Sequence, residues 1–156
     1  MLVAVVLVIL LATVAPRFSQ TAQRLDAERA AFELAQLLRY AHGRAVAQGD
    51  VIVMRWDAEQ RRARLGEISG AEPSQWPTGC EETATPLVPS RESAAMPAAI
   101  TVSLARDDHA VECVNFFPDG TSEPTTLHLL HAEHAYTLTI DESTSQVVLA
   151  ARPAAR

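Results

Sequence analysis

Leu2 to Phe18 reads LVAVVLVILLATVAPRF, and the helical pattern that follows it from Arg17 to Gln48 decides the fold. Leu2 to Ala15 carries no charge, and Thr13 is its only polar side chain. As a helix, about fourteen residues at roughly 1.5 Å each span about 21 Å. That is about six residues short of a bilayer core roughly 30 Å thick. A buried core helix with no polar face at the chain end is a weak alternative. A secretory signal is another, but Met1 is followed at once by Leu2 with no basic residue before the apolar run. The remaining alternative is a membrane anchor, built from Leu2, Val3, Val5, Val6, Leu7, Val8, Ile9, Leu10, Leu11 and Val14, and ending at Pro16.

The continuation favours the anchor. Ala31, Leu34, Leu38, Ala41 and Ala45 recur at helical steps and form one apolar stripe, predicted to pack on a sheet. Arg24, Glu28, Arg39 and Arg44 lie mostly off it. Gly49 is the expected stop, because glycine takes a left-handed cap at little cost. Proline inside the helix removes local bonds and need not end it. The chain therefore divides into residues 1–16, a half-helix suited to a membrane or to other apolar helices, and residues 17–156, one globular domain.

From Asp50 the period becomes strand-like. Strands are predicted at 51–56, 61–68, 100–104, 111–117, 125–130, 136–140 and 146–150. A turn falls at Pro118-Asp119-Gly120, a hairpin around Ala132-Glu133, and a frayed tail over 152–156. A Pro-, Ser-, Thr- and Glu-rich stretch of about 72–97 reads as a long surface loop. One long helix followed by short strands is an α+β plan.

The helix plan resembles type IV pilins and type II secretion pseudopilins, on Leu2 to Phe18 with its Pro16-Arg17 step. Two further stretches resemble the GspH/FimT group: the helix end from Leu37 to Gly49, LLRYAHGRAVAQG, and the turn Val114 to Ser122, VNFFPDGTS, with Phe117, Pro118, Asp119 and Gly120 at its centre. His42-Gly43 stands where the group more often has a serine and a larger residue. The resemblance implies a pilin-like fold, a helix laid on an antiparallel sheet. It implies a minor pseudopilin of the type II secretion system, a structural subunit of the periplasmic pseudopilus. The alternative is a FimT-like minor pilin of a type IV pilus, in pilus assembly or DNA uptake.

The implied partners are major and minor pseudopilins and the inner membrane, with a prepilin peptidase acting on the precursor. The implied location is a single-pass inner-membrane protein with its domain in the periplasm. The family's basic leader, glycine cleavage site and Phe-Thr-Leu-x-Glu start do not precede Leu2 here, so an in-frame upstream extension is expected.

Composition restricts the rest. The chain of 156 residues is 48% hydrophobic but only 5% aromatic, so its core must be made of Ala, Val and Leu. Net charge is -6, and all 13 basic residues are arginine. Few arginines follow Glu67, and nucleic acid is not an expected partner. Arg61, Arg62 and Arg64 form the one candidate basic patch, on a hairpin.

No serine elbow, phosphate loop or dinucleotide fingerprint is present, so neither an enzyme nor a cofactor is expected. The third hypothesis, a periplasmic enzyme behind a damaged signal peptide, has no catalytic constellation to support it. Cys80 and Cys113 are either a bridge, natural outside the cytoplasm, or two unpaired thiols with one buried in the sheet. His128, His131 and His134 alternate faces on strands, so a metal site is not expected. Asp107-Asp108-His109 reads as a turn. Trp56 is expected in the core, and Trp76 in an exposed loop.

Overall fold

The computed structural model describes residues 2–80, 85–86, 95–131 and 134–153, with side-chain environments for those from residue 25 to residue 151. One helix, α1, runs Leu2–Gln48 and passes through Pro16 without a break. It stops where Gly49 adopts φ 76° and its N–H reaches the Ala45 carbonyl at 3.0 Å. The anchor residues named above lie outside the described side chains. Among the described residues no helix is long and apolar enough to cross a membrane.

Among the described residues nine strands follow: β1 Val51–Asp57, β2 Arg62–Ile68, β3 Thr85–Pro86, β4 Thr101–Arg106, β5 His109–Val111, β6 Cys113–Phe116, β7 Thr125–His131, β8 His134–Ile140 and β9 Val147–Pro153. They form two antiparallel sheets. The first, sheet A, has the order β3-β2-β1-β6; the second, sheet B, has the order β5-β4-β7-β8-β9. This is an α+β fold in which α1 packs across both sheets.

The stripe predicted for α1 is its inner face. Ala31, Leu34, Leu38, Ala41 and Ala45 are fully buried. They meet Ile52, Met54, Val114 and Phe116 of sheet A and Leu127, Leu129, Leu138 and Ile140 of sheet B in one core. Alanines dominate this face because small side chains let a helix sit close to a sheet. Leu34 and Leu38 fill the larger gaps, and burying each contributes about 1.5–3 kcal/mol.

Four expectations are corrected. The single sheet is two. The predicted strand 111–117 breaks at Glu112, where the chain leaves sheet B and enters sheet A; the Glu112 carbonyl takes the Trp56 N–H at 2.7 Å. The last strand continues to Pro153, through residues expected to fray. The 72–97 stretch contains a single 3-10 turn at Pro73–Gln75 and the short β3, while most of its second half and the Ala132-Glu133 hairpin tip lie outside the described residues.

Candidate functional site

The outer face of α1 is the first candidate surface. Leu25, Phe32 and Val46 are 59, 52 and 50% exposed, large apolar side chains on the side away from the core. Phe32, Arg39 and Val46 are seven residues apart in turn and so share one side of the helix. Arg39 occupies the middle of that row and donates from Nη2 to the Val147 carbonyl of β9 at 3.1 Å. Arg44, nearer the helix end, donates to Tyr40 Oη at 3.3 Å and Glu67 Oε2 at 3.4 Å, tying α1 to β2. The Tyr40 bond foremost, then Glu67, raises the Arg44 pKa above its ordinary value.

The second candidate is the turn Phe117-Pro118-Asp119-Gly120. Its shape follows from its residues. Asp119 Oδ1 accepts the Thr121 N–H at 2.9 Å and the Thr121 hydroxyl at 2.7 Å. Gly120 sits at φ 88°, a conformation a side chain would strain. An added Cβ there would stand 3.9 Å from His42 Nε2 on α1. The Gly120 carbonyl accepts the Ser145 hydroxyl at 2.9 Å, and Phe117 stacks on Trp76 at 4.8 Å. The turn thus joins the end of α1, the loop after β2 and the β8–β9 turn. It is a structural junction rather than an open pocket.

Around it lies a second, smaller apolar cluster on the outer face of sheet A. Val51, Val53 and Cys113 are buried there under Ile68, Ala71, Trp76 and Phe117. Cys113 is joined to Cys80 by a disulfide with Cα atoms 5.5 Å apart. Asn115, also buried, donates from Nδ2 to the carbonyls of Gly79 at 2.8 Å and Pro77 at 3.4 Å. Trp76 was expected in the open; it is half-buried, and its Nε1 donates to the Ala71 carbonyl at 3.3 Å. Trp56 is half-buried against the main core. Asn115 was missed, because a lone asparagine in a strand carries no pattern of its own.

The candidate basic patch is mostly occupied within the molecule. Arg61, at φ 53°, donates to the carbonyls of Met96 at 3.2 Å, Pro97 at 2.7 Å and Ile100. Arg64 contacts Gln60 and lies 3.5 Å from Asp57. A guanidinium spent on carbonyls at the end of a long loop is a staple, and it leaves few donors for phosphate.

The expected divergence is corrected: the strands set only His128 apart, and His131 and His134 lie opposite each other on one face. His128 is exposed, 3.4 Å from the Thr137 hydroxyl, while His131 is buried opposite His134. Among the described residues no three metal-ligating side chains converge. Asp107 and Asp108 make the β4–β5 turn at φ 48° and 63°.

The family model described as Type II transport protein GspH matches residues 30–144, from the middle of α1 to the β8–β9 turn. The chain belongs to the GspH family. Three solved structures share the fold. The minor pseudopilin EpsH from the type 2 secretion system of Vibrio cholerae is 15% identical, with a TM-score of 0.57 over 81% of this chain and 97% of that one. The type IV minor pilin FimU of Pseudomonas aeruginosa is 20% identical, with a TM-score of 0.59 over 83% and 92%. The solution structure of Escherichia coli GspH is 20% identical, with a TM-score of 0.55 over 83% and 89%. No curated protein matches in sequence. The pilin-like fold and the GspH family are established for this chain, and the structures that share its fold include a secretion pseudopilin and a pilus subunit alike.

Proposed function

We propose that this GspH-family chain is a minor pseudopilin of the type II secretion system. It is a structural subunit with no catalytic step and no cofactor. Support comes above all from the division of labour along α1. Among the described residues the domain buries the inner stripe of the second half, from Ala27 to Ala45, while the first half is, in sequence, the uncharged run Leu2 to Ala15. Such a run belongs in lipid or among other apolar helices, since burying about ten large apolar side chains is worth about 1.5–3 kcal/mol each.

In this reading residues 1–16 anchor the precursor in the inner membrane, and residues 17–156 form the periplasmic domain. The precursor is processed by a prepilin peptidase. The helix then packs among those of other pseudopilins, and Leu25 and Phe32 extend the apolar surface outward from the filament core. The bridge between Cys80 and Cys113 suits an oxidising periplasm. Net charge of -6 and the employment of Arg61 and Arg64 within the fold weigh against a nucleic-acid partner.

Deleting the gene in its host tests the reading. Export of secreted proteins to the medium should fall while twitching and DNA uptake persist. Lost twitching or DNA uptake with intact export would instead establish the minor-pilin alternative.

A further inference from the structure

The inner face of sheet B is a ladder of residue pairs between β7 and β8, and its last rung is unlike the others. Thr125 lies opposite Ile140, Leu127 opposite Leu138 and Leu129 opposite Tyr136, and all of these are buried. The next rung on that face is His131 opposite His134. Two more apolar side chains would close the core there; the chain closes it with two imidazoles.

The rung is also unsatisfied. His131 is 5% exposed, and among the described residues its Nδ1 has no hydrogen-bond partner. The remaining histidines each have a partner in the fold. His109 Nδ1 lies 2.7 Å from the Asp107 carbonyl oxygen, His128 lies beside the Thr137 hydroxyl, and the His42 ring is 6.5 Å from that of Phe116. A buried nitrogen without a partner carries a desolvation cost that a bound water or ion removes. An ion pair does not explain the rung either, because two imidazoles that face each other can only acquire like charges.

We infer that His131 and His134 are two ligands of a site for a divalent transition-metal ion of the zinc, nickel or copper kind. Residues directly opposite in an antiparallel pair have Cβ atoms about 4.5–5.5 Å apart. Two nitrogens bound to one tetrahedral ion at roughly 2.0–2.1 Å stand about 3 Å from each other. Two rings that lean together from such a pair therefore close on an ion without moving the strands. Imidazole is a ligand these ions favour, whereas calcium and magnesium take oxygen. His134 is half-buried, which gives the ion a way in and leaves room for water on its remaining positions. The net charge of -6 draws cations to the chain.

The spacing of three residues argued against a site of three histidines, and His128 does face away. The same spacing folds His134 back onto His131 across the hairpin, which leaves a site of two. The ion is a structural clip at the end of the β7–β8 hairpin and takes part in no reaction. The inference is independent of which machine the chain serves.

The experiment uses the untagged full chain in non-ionic detergent, freed of metal with a chelator, and Cu(II) and Zn(II) chlorides as probes. No export component is present, so its failure is distinct from failure of the secretion reading. One Cu(II) per chain should bind saturably, with nitrogen coupling in its electron paramagnetic resonance spectrum. Both ions should raise the thermal unfolding midpoint, and Ca(II) and Mg(II) should not. His134→Gln, a half-exposed change that spares the core, should raise the Cu(II) dissociation constant at least about tenfold. His131→Gln should do the same while its circular dichroism spectrum matches the parent's. His128→Gln, on the opposite face, should leave binding unchanged. A chain that takes up no Cu(II), as a water held between the rings would leave it, overturns the inference. So does a His134→Gln chain that binds as the parent does, or a His128→Gln chain that loses as much.

Discussion

The outer faces of the two sheets solve one problem in opposite ways. On sheet A the strands turn Val51, Val53 and Cys113 outward, and apolar side chains there need a cover. The chain from Ser69 to Cys80 supplies it with Trp76, the Asn115 bonds and the disulfide. On sheet B the strands turn outward mainly threonines, serines and alanines, which water satisfies without help, with Leu130 and Val148 exposed among them. The pattern of a strand's outward residues thus determines whether a loop must be held over it. It also determines how costly the loss of that loop becomes.

The comparison sharpens into substitutions. The largest effect should come from Cys80→Ala. Cys80 is exposed, so the change removes the bridge and little packing. With the cysteines 33 positions apart, chain entropy predicts about 3–4 kcal/mol lost, measured by denaturant unfolding under oxidising conditions. Loss under about 1 kcal/mol would show that the cover holds without the bridge.

Asn115→Ala comes next. It leaves the carbonyls of buried Pro77 and half-buried Gly79 short of a donor and should cost about 1–3 kcal/mol. Thermal unfolding beside the parent would reveal it. Thr137→Ala, on the open face of sheet B, should stay within about 0.5 kcal/mol in the same assay. A cost equal to that of Asn115→Ala would break the contrast between the faces.

The smallest effect is set by pH. Asp141 closes the β8–β9 turn, and bonds from Thr144 first, then Ser143, hold its carboxyl below the ordinary carboxylate value. A depressed folded pKa contributes stability at pH above the unfolded value, and that contribution disappears as pH falls through the folded one. Asp141→Asn should therefore lower stability slightly at neutral pH and flatten the acid limb of the stability profile. An acid limb identical to the parent's would deny Asp141 this role.

Much of this was legible in the residues. The stripe from Ala31 to Ala45 marked the helix face, and the Pro118-Asp119-Gly120 signal marked a turn, because each depends on neighbours within a few positions. Glu112, Trp76 and Asn115 were not legible. A strand's period does not say at which residue the chain changes sheets. The environment of Trp76 depends on Phe117, more than forty positions away, and Asn115 finds its acceptors in a loop.

By itself the sequence determined one long helix with an uncharged first half, an alanine-rich packing face on the second, and a string of short strands after it. These follow from composition and local period, through which each residue's preference is expressed whatever the rest of the chain does. Only the tertiary structure decided that the strands divide into two sheets and which face the cysteine-bearing loop covers. Those depend on which distant segments meet, and pairing between strands is chosen by the whole core rather than by any one strand's sequence.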